Sequence, residues 1–262
     1  MISMTKRFPM MRKLLLTLVA ISGLSIASQA QVSIQDSAIF TPIIYATFSY
    51  MWPGGDLARR FGSNSSIGGG FMLKTKSNWL YGAEGNFMFG QTVKNSDSLL
   101  THISTSEGFI IDANGMYADL VYYERGFNFL AKFGKVIPMF GPNPNSGLTI
   151  TAGAGYIQDK IRIHNPGNTA PQLLGDYKKG YDKLNGGILF QGTIGYMYLS
   201  NTRLLNFYVG FEFMQAWTQC YRDFDFETRQ KDTKKYSSQF YGFKVKWMIP
   251  LYRRSPKEFY MY

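Results

Sequence analysis

The chain has 262 residues and a single cysteine, and its 28 basic and 17 acidic residues give a net charge of +11. One cysteine excludes an intramolecular disulfide and a cysteine-based metal cluster. No known nucleic-acid-binding motif gathers the basic residues, so nucleic acid is not an expected partner. A mean hydropathy of -0.16 argues against a bundle of membrane helices, whereas a β-barrel escapes that test because only alternate strand residues face lipid.

The first thirty residues have the pattern of a secretory signal peptide. Four basic residues and no acidic residue precede an apolar run that begins at Leu14. The small residues Ser28 and Ala30 then form a cleavage motif. The apolar run is shorter than the ~20 residues of a membrane-spanning helix, which disfavours an anchoring helix as the alternative. We expect residues 1–30 to be removed and residues 31–262 to form the mature domain.

After residue 30, large apolar residues alternate with small or polar ones, which is the period of β-strands. The clearest example is the run 205–213, in which the odd positions are Leu, Phe, Val, Phe and Phe. The predicted fold is all-β, an eight-stranded antiparallel transmembrane β-barrel. We predict its strands at residues 43–52, 66–76, 78–90, 115–134, 147–160, 186–199, 203–217 and 237–250.

The predicted connections alternate between long and short, which is typical of outer-membrane barrels with long extracellular loops and short periplasmic turns. The segment 115–134 is longer than the others and carries Arg125 on its apolar face. A bulge near Gly126, or a strand rim standing above the membrane, would explain that arginine. Ten strands result if residues 109–137 split into two.

The second face of the predicted strands carries small residues and isolated charges, as a narrow and crowded lumen requires. In this register the inner face includes five charged residues, Glu84, Glu124, Glu212, Lys244 and Lys246. Because buried charges need partners, we expect a salt-bridge network that fills the barrel. The alternative is a gated narrow conduit, although eight strands leave an interior only just wide enough for side chains.

The predicted loops hold the candidates for contact with ligands or partners, namely Asp56, Arg59, Arg60, Asp176, Tyr181 and Asp182. Asp56 is expected to cap a short turn of helix, and the two arginines are expected to pair with lipid phosphate or sugar acids. The last loop contains acids spaced by two, Asp223, Asp225 and Glu227. Three carboxylates without an EF-hand frame are a weak signal for calcium, so we expect no metal and no cofactor.

An enzymatic function would depend on the two histidines, His102 and His164, which fall in different loops. Some eight-stranded barrels act on lipid A, and such an acyl-transfer enzyme needs a nucleophile beside a base. Ser104, Ser106 and Asp112 follow His102 in sequence, but any serine-rich loop allows a triad to be drawn. Two histidines also make a poor zinc site, which needs three or four ligands.

The signal peptide, the alternating strands and the aromatic C-terminus Phe259-Tyr260-Met261-Tyr262 together resemble small outer-membrane barrels of the OmpA/OmpX type, in the style of Bacteroidota proteins. The resemblance covers residues 31–262 as an architectural pattern, without a diagnostic motif. The terminal aromatic residue resembles the signal that the barrel-assembly machinery reads, although Glu258 interrupts the alternation. The resemblance implies an outer-membrane location, with outer-membrane lipid, lipopolysaccharide and that machinery as partners.

The resemblance implies location more than function, because one fold hosts many functions. We expect a non-enzymatic protein with a structural or surface-binding role. One alternative is an accessory barrel subunit of an outer-membrane secretion or assembly complex, in which the loops and the basic tail dock an envelope protein. That tail contains Arg253, Arg254 and Lys257. The second alternative is a lipid A-modifying barrel enzyme.

Overall fold

The computed structural model describes residues 37–201 and 205–252 of the chain. The predicted signal peptide, the aromatic C-terminus and the basic tail lie outside the described residues. The described residues form a closed barrel of eight antiparallel strands, each paired with its neighbours in chain order, and β8 closes the ring against β1. The strands are β1 Thr41–Gly55, β2 Asn64–Lys74, β3 Trp79–Gly90, β4 Val121–Pro138, β5 Gly147–His164, β6 Asn185–Leu199, β7 Asn206–Cys220 and β8 Lys235–Pro250.

The predicted eight-stranded antiparallel barrel is confirmed, and outside β4 the strand bounds differ from the prediction by at most four residues. The ten-stranded alternative is wrong. Residues 109–120 belong to a loop in which Ile111 and Tyr117 form only an isolated bridge, and β4 pairs with β5 along its whole length. The predicted bulge is also wrong, because Gly126 lies opposite Asp159 in an unbroken ladder.

The predicted end of the fourth strand, at residue 134, is four residues too early. Gly134 suggested a turn, but its backbone lies inside the ladder, where a Cβ atom would stand 2.4 Å from the carbonyl oxygen of Ile150. A glycine in a strand often marks a close approach of two backbones. The strand then continues to Pro138, where the missing amide hydrogen suits a strand end.

The connections divide the barrel into a long-loop end and a short-turn end. At the short-turn end the strands are joined by residues 75–78, 139–146 and 200–205. The β1–β2 loop is as short as the 139–146 turn, so the strict alternation predicted from the sequence holds only for the other three loops. The connections at the long-loop end are loop 1 (56–63, with helix α1 Leu57–Arg60), loop 2 (91–120, with helix α2 Ser96–Leu99), loop 3 (165–184) and loop 4 (221–234). No helix in the described parts of the chain is long and apolar enough to cross a bilayer.

The outer face of the barrel is a band of exposed apolar side chains. On β8 every outward position from Tyr241 to Ile249 is apolar, and the same holds on neighbouring strands. Charged side chains bound this band. Lys135 stacks over Trp79 at the short-turn end, while Arg125, Lys160, Arg162 and Lys235 face outwards at the long-loop end. Arg125 lies opposite Phe89, one pair from the end of β3, and thus close to the rim where β4 and β5 extend beyond their neighbours.

The interior of the barrel is filled in three layers. A first apolar cluster closes the short-turn end and contains Ile43, Tyr45, Met72, Leu80, Val136, Met197, Leu199, Tyr208 and Met248. The middle layer is charged. A second apolar cluster fills the half towards the long loops, around Met51, Met88, Leu130, Ile157, Leu189, Met214 and Phe240, and it continues into the loops through Leu57, Phe61, Leu99, Leu100, Leu173 and Tyr181.

Candidate functional site

The charged middle layer, which we name the lumen charge cluster, contains Glu84, Lys132, Glu212, Lys244 and Lys246. Glu84 accepts hydrogen bonds from the Nζ atoms of Lys244 at 2.6 Å and Lys132 at 3.0 Å, and the Nζ atom of Lys246 lies 3.2 Å away. Lys244 also pairs with Glu212. All five side chains are buried. The cluster thus holds two carboxylates and three ammonium groups in direct contact, away from water.

Of the five charged residues predicted for the inner face, four belong to this cluster and the fifth does not. Glu124 is also buried on the inner face, but it lies near the long-loop end, where the Asn64 amide donates to its two oxygens at 2.9 and 3.0 Å. The prediction omitted Lys132, although the alternation that placed Glu124 inside places Lys132 on the same face of β4.

The interior does not resemble a conduit. A polar path along the barrel axis would have to cross the apolar clusters on both sides of the lumen charge cluster. Near the long-loop end, Arg60 reaches from α1 to within 3.3 Å of the buried carboxylate of Asp159 and donates to the Lys183 carbonyl at 3.1 Å. The charges of the lumen charge cluster and of Asp159 are therefore paired inside a packed core.

Two of the loop 1 candidates, Arg60 and Asp56, do not have the roles predicted for them. Arg60 was expected to contact lipid phosphate or sugar acids, but Asp159 engages it inside the rim. Asp56 precedes α1 at the capping position, yet its side chain does not cap the helix and accepts instead from the Ser237 amide at 3.0 Å. Asp56 has helical backbone angles, φ -65° and ψ -27°, whereas a capping residue is usually extended. Its contact with Ser237 ties loop 1 to β8. Arg59 remains exposed.

Ion pairs tie loop 3 to loop 4. Asp182 is nearly buried and accepts from the guanidinium of Arg222 at 2.8 and 2.5 Å. Lys183 pairs with both Asp225 and Glu227 at 2.5 Å, so two of the acids considered for calcium are neutralised by a lysine.

The contacts among Lys183, Asp225 and Glu227 shift the pKa values of Lys183 and Glu227. Burial acts to lower the pKa of Lys183, but the two carboxylates outweigh it and raise the pKa. Burial acts to raise the pKa of Glu227, but the Lys183 ammonium outweighs it and lowers the pKa. Asp176 forms only an exposed pair with Lys179. Asp182 and Lys183 are thus structural ties, while Asp176 lies free of the loop packing.

The residues considered for an acyl-transfer triad are engaged elsewhere. The Ser104 hydroxyl donates to the Thr101 carbonyl, and Asp112 accepts from the backbone amides of Asn114 and Met116. His102 contacts loop 4 through both ring nitrogens. The structure therefore does not bring the predicted base, nucleophile and acid together.

Loops 2, 3 and 4 line an open pocket of about 780 Å³, which we name the loop pocket. Tyr181 forms a buried part of its wall and meets the ring of Phe226 edge-on, with ring centroids 5.1 Å apart. Phe226 lies so close to the backbone of Gly180 that a Cβ atom there would stand 2.1 Å from the ring. Tyr177 and Phe224 remain exposed at the opening. The pocket is lined by His102, Ile103, Pro171, Gln172, Tyr177, Tyr181, Phe224, Phe226 and Arg229.

The polar edge of the loop pocket is formed by His102 and Arg229. His102 Nε2 lies 3.0 Å from the Glu227 carbonyl. Because a carbonyl only accepts, Nε2 carries the proton, and Nδ1 accepts from the Arg229 guanidinium at 3.2 Å. The histidine thus holds an arginine at the edge of an otherwise aromatic and aliphatic pocket.

Sequence reasoning identified Tyr181 as a loop contact and His102 as a candidate catalytic base, but no other residue of the loop pocket. In the stretch Asp223–Glu227 the three acids were considered as calcium ligands, whereas the two phenylalanines between them line the pocket. The signal was therefore present as alternation inside a loop. What the sequence did not contain was the meeting of three loops separated by up to 127 positions along the chain.

Comparison with known proteins gives a distant likeness. No protein-family model and no curated protein sequence matches the chain. One similar structure is Ail, the attachment invasion locus protein of Yersinia pestis, solved in complex with the heparin analogue sucrose octasulfate; it is 6% identical, covers 80% of this chain and 99% of its own, and has a TM-score of 0.43. Neisserial surface protein A is 11% identical, with coverage of 79% and 96% and a TM-score of 0.36. Neither likeness carries information on what this chain binds.

Proposed function

We propose that this protein is an integral outer-membrane β-barrel whose role is non-enzymatic, and that it binds a ligand at the cell surface through the loop pocket. The observation that supports this role is the pocket itself. Three loops line an open pocket of about 780 Å³ on top of a packed barrel, and this volume is within the ~300–1,000 Å³ usual for small-molecule sites.

The membrane location is supported by the outer face. Soluble monomers rarely expose contiguous apolar patches larger than a few hundred Å², whereas this band surrounds the barrel. Its extent on β8, from Tyr241 to Ile249, is close to the ~9–11 residues that a tilted strand needs to cross a bilayer. Outer-membrane lipid and lipopolysaccharide are then the surroundings of the band.

The proposed direction of insertion rests on the lengths of the loops, and the proposed route of export rests on the signal-peptide pattern of the sequence. Long loops face outwards in outer-membrane barrels, so we place the loop pocket outside the cell and the short turns in the periplasm. The signal-peptide pattern supports export through the inner membrane, followed by insertion by the barrel-assembly machinery. We include in this proposal that the protein is a small outer-membrane barrel of the OmpA/OmpX type, in the style of Bacteroidota proteins.

Labelling in intact cells tests the orientation. Lys179→Cys in loop 3 and Lys76→Cys in the β2–β3 turn place single thiols on exposed positions at opposite ends, while the native Cys220 is buried. A membrane-impermeant maleimide is expected to label the loop 3 thiol in intact cells and the turn thiol only after lysis. Labelling of the turn alone would refute the proposed orientation.

Binding of a neutral fluorescent probe tests the loop pocket. N-Phenyl-1-naphthylamine is expected to bind saturably to the barrel in lipid nanodiscs, because it brightens in apolar surroundings. Phe224→Asp, at the opening of the pocket, should remove that signal. Phe109→Asp is the matched control, since the two rings are 47% and 49% exposed and only Phe224 lines the pocket. Equal signals from both variants and the wild type would contradict the proposal.

A second candidate function is the accessory subunit of a secretion or assembly complex. It is favoured by an apolar patch at the tip of loop 2, where Phe109 stacks on Tyr117 at 4.5 Å beside the exposed Ile111 and Met116. Crosslinking in intact cells, followed by purification of the tagged barrel, should recover a stoichiometric envelope protein that Met116→Glu releases. Recovery of the barrel alone would remove this candidate.

A further inference from the structure

We propose that the ligand of the loop pocket is a single-chain anionic amphiphile, with its apolar chain inside the pocket and its carboxylate on Arg229. This inference rests on the proposed function, because it assigns a chemical class to the same site. It goes further in two respects, since it places an apolar chain against the wall of the pocket and assigns the head group to one side chain.

The interior of the pocket suits an apolar chain. Ile103, Pro171, Phe224 and Phe226 contribute aliphatic and aromatic surface. Two polar side chains of the wall are already used within the loops: the Gln172 amide donates to the Ile111 carbonyl at 2.9 Å, and both ring nitrogens of His102 are engaged. An apolar chain can contact the aliphatic and aromatic surface beside them without hydrogen-bond partners of its own.

The edge of the pocket suits an anionic head. A guanidinium has five N–H donors, and the hydrogen bond to His102 uses one nitrogen of Arg229. The nearby acids are paired with lysines, Glu227 and Asp225 with Lys183 and Asp223 with Lys231. Among the ion pairs of the described residues, none joins Arg229 to a carboxylate. A carboxylate can therefore form the two-pronged contact that arginine favours.

The order of affinities for different head groups follows from this arrangement. The chain enters between the exposed rings of Tyr177 and Phe224, and its head group remains at the solvent edge beside Arg229. An ion pair at the solvent edge contributes about 0.2–1 kcal/mol, which corresponds to a factor of up to about 5 in affinity. A carboxylate should therefore bind more tightly than an alcohol with the same chain, and an ammonium should bind most weakly.

Titration calorimetry with three probes tests the proposal. Octanoate, octanol and octylammonium share one chain and differ in charge, and empty nanodiscs correct for partition into lipid. The barrel in nanodiscs is expected to bind octanoate up to about 5-fold more tightly than octanol. Arg229→Gln should lower the octanoate affinity to that of octanol and leave octanol binding unchanged, while Arg229→Lys should retain part of the preference. Arg59→Gln is the matched control, because Arg59 is exposed and lies outside the pocket.

The outcomes separate this inference from the proposed function. If octanol binds as tightly as octanoate and Arg229→Gln changes neither, the anionic assignment is overturned while the pocket remains a binding site. If none of the three probes binds, or if Phe224→Asp binds them as the wild type does, the proposed function fails as well.

Discussion

Glu84 is the residue on which the lumen charge cluster depends, because it alone contacts three lysines. Glu84→Gln would leave three buried ammonium groups facing Glu212. Removing one partner from a buried ion pair costs about 3–5 kcal/mol, so we expect a loss of that size in the free energy of unfolding. Lys132→Met should cost less, since two lysines then match two carboxylates.

Urea unfolding in lipid vesicles, followed by tryptophan fluorescence, measures this difference. Glu107→Gln, in the exposed part of loop 2, is the control and should change stability little. A cost for Lys132→Met equal to that of Glu84→Gln would show that the excess of positive charge is not what makes Glu84 important.

Single residues also show what the sequence could and could not establish. A period of two is enough to assign Glu84, Glu124, Glu212, Lys244 and Lys246 to one face. It does not set the depth of each residue in the barrel. Glu84 lies opposite Leu130 on β4, six positions from Glu124, or about 20 Å along the strand. Depth follows from strand register, which depends on pairings across the sheet and not on the local pattern.

At the scale of elements, Lys183 joins loop 3 to loop 4 and supports the wall of the loop pocket. Lys183→Met should leave Asp225 and Glu227 without their partner and loosen both loops. We expect hydrogen-exchange protection in loops 3 and 4 to fall about 10-fold, while the strands keep theirs. Lys179→Met is the control, because its exposed pair with Asp176 contributes little. Equal effects of the two variants would contradict this role.

The same tie gives the loops a dependence on pH. The pKa of Glu227 is lowered in the folded protein, so its contribution is complete above the ordinary value of 4.5 and is lost as the pH falls through the lower folded value. The pKa of Lys183 is raised, so its contribution is complete below 10.5 and is lost only above that. Protection factors of loops 3 and 4 should therefore stay constant near neutral pH and fall in acid.

The elements that sequence predicted best are those with a repeating pattern. The strands were located because burial alternates along each of them. β4 was misplaced at both ends: its predicted start at residue 115 falls in loop 2, six residues before Val121, and its predicted end falls where Gly134 interrupted the pattern. The loops have no such period. Whether Arg60 turns towards lipid or towards Asp159 is decided by the buried carboxylate across the rim, and whether Phe224 and Phe226 form a pocket is decided by loops 2 and 3.

At the scale of the whole molecule, the barrel is closed and filled, and in the proposed membrane location its outer band contacts lipid, so the cost of a charge on that band should depend on depth. Val245 lies midway along the apolar stretch of β8, whereas Gln239 lies beyond it towards the loops. We expect Val245→Arg to lower the free energy of unfolding in vesicles by about 2–4 kcal/mol and Gln239→Arg by about 0–1 kcal/mol. Val245→Ala measures the packing lost at the same position and is subtracted. Equal costs at the two depths would mean that protein or water, and not hydrocarbon, covers the band, and the membrane location would then fail together with the orientation of the loop pocket.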